Sequence, residues 1–544
     1  MPDNGITNIK ATRNKRDLAI KTDKKEDNIE IYVQFNDQVV GSGRSINFEV
    51  TYDAKDVAKL KGNNLEVSLP GIGKDYAGGY DLDVLIPSAR NSVSARINPQ
   101  PAGTKSENGK VIYSFTKDQL TNNSVLMNFG DNQTYDVSLI YFLKNTSTSR
   151  ARADIALPPS TEYQTVVYEE LNIQPQTVHL DGDGNYIARY MLQPNEEKEI
   201  QLKTKMIVSA QPSHTFAPLT DEQEAQYLKP QEYWDIEASE IQKLAAELKT
   251  VDKIYEYVVN TLTYDKARSE TASLRRQGSL EALKNPSQAV CMEFTDLFIA
   301  ISRAAGIPAR EVIGYGFTDQ LDESAQTLFA DNFHPWPEYY DGQLDRWVQV
   351  DPTWENTTGG QDYFSIFDTN HLAFVRRGIS STSPNGVGGF RRNENDRTVF
   401  VSISDQTVEP SQQVTLSTDN ETRLSGFSDK VTITAQNTGN TAYIGTLSTS
   451  ATPSSIIPST TNPVHTPPFS KIELEMPFQI PWNQSATIQL DTTDADQNSL
   501  FKQAVAVAPI YLHPYAQIAA AYLVAIAILT VVFQKFTRHH GHTN

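Results

Sequence analysis

Three residue types that together can perform nucleophilic acyl transfer occur in order along the 544-residue chain: Cys291, His334 and Asp351. Cys291 is the only cysteine, which excludes an internal disulfide framework and a Cys-rich zinc site. A lone cysteine is usually a small buried hydrophobe, so its neighbours must decide its role. It opens a segment in which Phe294, Leu297, Phe298, Ile301, Ala304 and Ala305 share one helical face, closed by Gly306 and Pro308. A thiol at a helix N-terminus meets free N–H groups and the positive end of the macrodipole, which favour the thiolate and can hold a developing oxyanion. Downstream, residues 333–340 and 346–351 read as strands on either side of an Asp341-Gly342 turn. A symmetric hairpin centred between Gly342 and Gln343 would set His334 directly opposite Asp351, about 5 Å apart at the backbone. A base and its orienting carboxylate need that proximity.

The runs that carry these residues are Cys291-Met-Glu-Phe-Thr-Asp-Leu-Phe, Arg303-Ala-Ala-Gly-Ile-Pro-Ala-Arg310, His334-x-Trp336-x-Glu338 and Trp347-Val-x-Val-Asp351-Pro-Thr353. In type and order, over about residues 250–360, they resemble the transglutaminase-like superfamily. The resemblance implies a papain-like α/β core with Cys291 as nucleophile, His334 as base and Asp351 as its orienter. Two features depart from the family pattern: Ala289 stands where Gly is common, and Pro335 and Pro337 interrupt the histidine strand. Proline removes ladder donors and suits an edge strand. Gln288 and Tyr264 are the candidates for an upstream oxyanion side chain. Glu338 and Asp296 read as structural or solvated, and Trp336, Trp347 and Trp354 as core or cleft walls.

The implied chemistry is attack of the thiol on a peptide or isopeptide amide, giving a thioester. With water as acceptor the enzyme is a cysteine protease or amidase, the favoured reading. With an amine it is a transglutaminase joining that amine to a glutamine side chain. A third alternative is a surface adhesion or scaffold protein with an idle triad. No cofactor and no metal ion are expected. Asp181-Gly-Asp-Gly-Asn185 suggests a calcium loop, but the sixth and twelfth positions are Tyr186 and Leu192 rather than Gly and Glu. A hairpin turn is the better reading.

Elements that could position these residues follow from periodicity. Residues 28–212 alternate apolar and polar side chains with period two, as in 29–35, 46–52 and 135–142, and read as one or two β-sandwich modules. Helical spacing appears at Ile241, Leu244, Ala245, Leu248, Val251, Ile254, Tyr255 and Val258, within an α/β part spanning 221–380 that holds the catalytic candidates. Strand texture returns over 398–508, read as a membrane-proximal β-sandwich with a Ser/Thr/Pro-rich loop at 448–468. Residues 1–27 read as a flexible charged tail. The fold class is thus multidomain, with β-sandwich modules flanking a papain-like core.

Composition narrows the partners. Lys+Arg is 47 against Asp+Glu 66, a net charge of −19, which disfavours nucleic acid. From 503 to 534 there is no Asp, Glu, Lys or Arg, and residues 514–533 supply about the 20 residues a helix needs to cross a bilayer. Tyr511 and Tyr515 lie on its upstream side, and 534–544 is a short tail with Lys535, Arg538, His539, His540 and His542. The positive-inside rule places that tail in the cytoplasm and the bulk of the chain outside. Such a topology requires an export signal, which the polar residues 1–27 do not resemble: either the true start lies upstream of Met1, the favoured reading, or the chain is tail-anchored with its bulk in the cytoplasm. The expected partners are a protein or peptide substrate and a lipid bilayer.

Overall fold

The computed structural model describes residues 6–25, 28–35, 45–55, 57–91, 96–121, 123–270, 274–317, 333–358, 361–365, 367–393, 396–404, 406, 408–418, 423–424, 428–452, 460–479, 486–494, 499–508 and 514–540. The chain is strand-rich. Period-two alternation decides the N-terminal half: Val125–Phe129 buries every second residue, and so does Asn132–Lys144, through Gln133, Tyr135, Val137, Leu139, Tyr141 and Leu143. Two sheets enclose a first core of Val67, Ile86, Val111, Phe115, Leu120, Val125 and Phe129. Their strand orders are Asp81–Pro87, Lys110–Thr116, Gly103–Glu107 and Ala58–Lys61, Asn64–Leu69, Val125–Phe129, Arg96–Asn98. The long strand Asn132–Lys144 pairs over its whole length with Glu197–Ser209.

Residues 6–25 depart from the expected flexible tail. Ile6–Arg13 and Arg16–Lys25 form a hairpin whose turn uses positive φ at Asn14 and Lys15. The many lysines and arginines concealed an alternation in which Ala11 is buried and Leu18 and Ile20 are partly covered. Asp181 to Asn185 closes the hairpin between Thr177–Leu180 and Tyr186–Leu192; Asp181 Oδ1 accepts from the Asp183 and Asn185 N–H groups at 2.9 and 2.8 Å.

We label the elements of the α/β part. Helices α1 (Ser239–Leu248) and α2 (Val251–Thr261) divide the predicted apolar run at Lys249, where φ is +63°. Helix α3 (Cys291–Ala304) is followed by β1 (Ala309–Gly316), β2 (Phe333–Asp341), β3 (Arg346–Gln349), α4 (Pro352–Thr357) and β4 (His371–Arg377). The sheet order is β3-β2-β1-β4, all antiparallel. Every residue from Glu293 to Arg303 is buried, so α3 is enclosed on all sides rather than presenting one apolar face. Phe294, Leu297, Phe298 and Ile301 pack with Ile241, Ile254 and Val258 of α1 and α2. Full burial of each such side chain contributes about 2 kcal/mol. The α3 helix ends at Gly306, whose φ of +81° a residue with a Cβ adopts only at a cost.

Two further expectations change. The Val399–Ile403 strand, expected in the membrane-proximal module, pairs with Tyr135 to Leu139 of the long N-terminal strand. The Ser/Thr/Pro-rich stretch is not a loop where it is described: Tyr443–Thr452 and Thr460–Thr466 pair as antiparallel strands, with Thr449 opposite Thr460. Threonine is β-branched and favours strands. Residues 453–459 of that stretch lie outside the described residues. At the C-terminus, Pro514–His540 is one helix, running through the expected membrane segment and into the predicted tail. Its window Tyr515–Lys535 has mean hydropathy 2.3 and is left uncovered by the other described residues.

Candidate active site

Cys291 is the first residue of α3 and is fully buried. The helix end it occupies is held by the buried Glu293 carboxylate. That carboxylate accepts from Val290 N at 3.0 Å and Gln277 N at 2.9 Å, and forms a bidentate pair with the Arg268 guanidinium at 2.6 and 3.1 Å. Tyr264, Leu274, Met292 and Phe333 pack around Val290 and Cys291. Burial pushes the thiol up, and the Glu293 and Asp351 charges add to this; the helix N–H groups of Met292 and Cys291 act the other way but do not win. The expectation of a lowered thiol pKa from the helix end alone is therefore not met, because burial disfavours the charged form more strongly than two N–H groups favour it.

His334 lies on β2 and Asp351 caps α4. The Asp351 Oδ1 atom accepts from the N–H groups of Thr353 at 2.9 Å and Trp354 at 3.1 Å, while Oδ2 lies 2.7 Å from His334 Nε2. The contact forms, but not by the predicted register. Tyr340 pairs with Trp347 and Asp341 with Arg346, so the turn is centred one residue further along, between Gln343 and Leu344. The cross-strand partner of His334 is Gly314 on β1. Asp351 reaches the imidazole instead from the N-cap of α4, after β3 has ended. Gly314 permits this packing: a Cβ there would stand 2.0 Å from the Leu372 carbonyl oxygen.

The two prolines fit this arrangement. The Pro337 carbonyl accepts from Val350 N at 3.2 Å, so the backbone groups of Pro335 and Pro337 face the β3 side of the strand. The β2–β3 ladder covers only Glu338 to Asp341, leaving no ladder donor missing at either proline. The Pro335 carbonyl accepts from Thr295 Oγ1 of α3 at 3.2 Å, which ties the histidine strand to the cysteine helix. Trp336 and Trp354 flank the His334 ring, with centroids 5.9 and 5.5 Å away. The His334 Nδ1 atom is buried and has no hydrogen-bond partner among the described residues.

His371, which carries no motif in the sequence, is the functional neighbour that periodicity and spacing miss. Its Nε2 lies 3.0 Å from the same Asp351 Oδ2 that holds His334, and its Nδ1 lies 2.7 Å from Asp368 Oδ1. Burial alone would push this imidazole down, but the Asp368 and Asp351 carboxylates on either side raise it to about 9. His371 is thus an imidazolium near neutral pH. Asp351 is also buried, yet the His334 and His371 imidazoles hold its carboxyl well below the usual carboxylate range. Arg96, from an N-terminal strand, places Nη1 3.6 Å from Asp368 Oδ2 and Nη2 2.9 Å from the Tyr363 hydroxyl. The Asp368–His371 pair has one weak sequence signal: an acid three residues before a histidine, just ahead of an apolar strand.

His334, Asp351 and His371 offer three ligand atoms within 4.8 Å of one another. The two imidazole contacts to Asp351 Oδ2 account for this convergence. The remaining motif residues build the frame. Asp296 accepts from Trp234 Nε1 at 2.9 Å and pairs with Arg276; Arg310 pairs with Glu338 at 2.7 Å under the Trp347 ring; Arg303 donates to the Ala309 and Gly378 carbonyls. Trp336 Nε1 donates to Gln349 at 3.0 Å. Of the two oxyanion candidates, Tyr264 packs beside Cys291, whereas the Gln288 side chain is exposed.

Residues 237–352 match the family model described as the transglutaminase-like superfamily, and the chain therefore carries a transglutaminase-like core. Among solved structures, the chain is similar to a Cytophaga hutchinsonii protein described as a candidate cysteine protease. That match has 16% identity and a TM-score of 0.33, covering 51% of this chain and 87% of the other. It is also similar to the transglutaminase of red sea bream, at 11% identity and a TM-score of 0.21, over 82% of this chain and 80% of that one. No curated protein matches the chain.

Proposed function

We propose that this protein is a thiol acyl-transfer enzyme acting on peptide or isopeptide amides, with water as the acceptor. One observation carries the reading. His334 is held through Nε2 by Asp351, and its other nitrogen has no partner among the described residues, on a strand packed against the helix that Cys291 begins. Fixing Nε2 to a carboxylate sets the tautomer and orientation of the ring and leaves Nδ1 to exchange a proton with the thiol.

In the first step Cys291 Sγ bonds to the amide carbonyl carbon as its proton passes to His334 Nδ1. The C–N bond then breaks, and the leaving amine takes that proton from the imidazolium. Water, deprotonated by the same nitrogen, hydrolyses the thioester, releasing the carboxylic acid and restoring the thiol. The first N–H groups of α3 and the Tyr264 hydroxyl are the donors for the tetrahedral oxyanion. Burial raises the Tyr264 pKa far above its usual value, so the hydroxyl keeps its proton. Leu274, Met292 and Phe333 pack around the thiol, so an amide reaches Sγ by displacing part of this cover.

The apolar C-terminal helix supports anchoring to a bilayer with Lys535 and Arg538 on the cytoplasmic side and the catalytic part outside. Incubating the full chain with a peptide library and an amine tests the reaction class. Mass spectrometry should find a peptide acyl group on Cys291 and hydrolysed products. Amine-linked products without hydrolysis would replace the hydrolase reading with the transglutaminase alternative, and an unmodified Cys291 with intact peptides would overturn acyl transfer altogether.

A further inference from the structure

A cavity of about 500 Å³ lies between the N-terminal sheet that ends in Arg96–Asn98 and the catalytic end of the β3-β2-β1-β4 sheet. Its volume falls in the range of ligand sites. The catalytic side is formed by Phe317, directly after β1, by Trp354 of α4, and by Tyr363 and Asp368. Trp354 is shared with the active site, since its ring centroid is 5.5 Å from that of His334 and 4.2 Å from that of His371. The opposite side includes Asn64, Arg96 and Gln133.

Four polar atoms of the residues lining this cavity are buried without a hydrogen-bond partner among the described residues: Asn64 Oδ1, Gln133 Oε1, Arg96 Nη1 and Trp354 Nε1. Gln133 and Trp354 are only 2% and 5% exposed. Buried polar atoms left unpaired are costly, so their gathering around one cavity points to a partner that supplies both donors and acceptors. Gln133 Nε2 donates to the Thr134 carbonyl at 3.1 Å, which fixes its amide, whereas Asn64 Nδ2 lies 2.7 Å from Thr369 Oγ1, a hydroxyl that can donate or accept. Gln133 Oε1 therefore stands as an unmet acceptor and Trp354 Nε1 as an unmet donor among the described residues. The charges near them are largely satisfied, Arg96 by Asp368 at 3.6 Å and Lys61 by Glu66 at 2.5 Å. These features favour a neutral ligand with alternating N–H and C=O groups beside aromatic walls, which describes an extended peptide main chain.

We propose that this cavity binds the main chain of the peptide substrate, beyond the residue that is acylated. The proposal rests on the acyl-transfer reading for its biological sense, but binding can be measured without turnover. Full-length Cys291→Ala protein in detergent is titrated calorimetrically with acetylated, amidated peptides of two to eight residues around a central glutamine. Affinity should rise with length, and Gln133→Leu should weaken the longer peptides by about fivefold, the loss of one hydrogen bond. Ser68→Trp, at an exposed position in the lining, should weaken them at least as much by filling the space. It guards against a folding defect in the Gln133 variant. Length-independent binding, no binding at any length, or wild-type affinity in folded Gln133→Leu and Ser68→Trp proteins overturns the proposal. Acylation of wild-type Cys291 is scored separately: length-dependent binding without acylation sinks the enzyme reading alone, and acylation without length-dependent binding sinks the subsite alone.

Discussion

His371 reaches Asp351 at 3.0 Å, on the same carboxylate oxygen that lies 2.7 Å from His334. The second histidine is itself held by Asp368, so Asp351 is fixed from two directions as well as by the first N–H groups of α4. In the proposed reaction His371 acts through Asp351, as a positioning residue. Replacing it by Ala removes one anchor of the carboxylate, and a misplacement of about 1 Å can cost as much as 100-fold in rate. His371→Ala should lower kcat by at least about tenfold with little change in KM, measured on a peptide substrate. An unchanged kcat would show that His334 and the α4 cap suffice to hold Asp351.

The same residue gives the protein a pH signature. A histidine raised in the folded state contributes stability that is fully present below its unfolded pKa of about 6.5. That contribution is lost as pH rises through the folded value of about 9. Urea unfolding of the wild type should therefore show stability falling between about pH 6.5 and 9, and His371→Gln should flatten this limb.

Much of the site was legible because its chemistry is written in contiguous runs. Cys291 with its helix, and Pro352-Thr353 after Asp351, announce local structure directly. The register of the hairpin was not legible, since a turn shifted by a single residue changes every cross-strand partner while leaving the period-two pattern intact. His371 could not be found because its meaning comes from β4 lying beside β1, a non-local pairing. Arg96 is more remote still, on a strand of a different sheet. The hairpin at residues 6–25 was concealed by charge: lysines on the exposed face of a strand look like a solvated tail until the partner strand is known.

The α3 N-terminus depends on a charge pair. Glu293 is wholly buried and Arg268 is partly exposed, so removing the carboxylate deletes the bonds that hold the helix end while the guanidinium keeps some contact with water. Glu293→Ala should lower the melting temperature markedly. A melting temperature equal to the wild type would remove this clamp from the account.

Tyr264 offers a sharper test of the oxyanion site. Loss of one such donor costs roughly 100-fold or more in kcat. Tyr264→Phe keeps the ring that packs beside Cys291, so the protein should fold and its thiol should still react with iodoacetamide while turnover falls. Equal turnover would leave oxyanion stabilisation to the α3 N–H groups.

The central claim is that His334 and Cys291 act as a base and nucleophile pair. The rate of Cys291 carboxamidomethylation at about pH 6, compared between the wild type and a folded His334→Ala protein, tests it most directly. Burial raises the pKa of an unassisted thiol at this position, so only a thiol that can pass its proton to His334 should react readily at that pH. The account predicts faster labelling of the wild type, with the difference abolished in His334→Ala. Equal rates in the two proteins would contradict it.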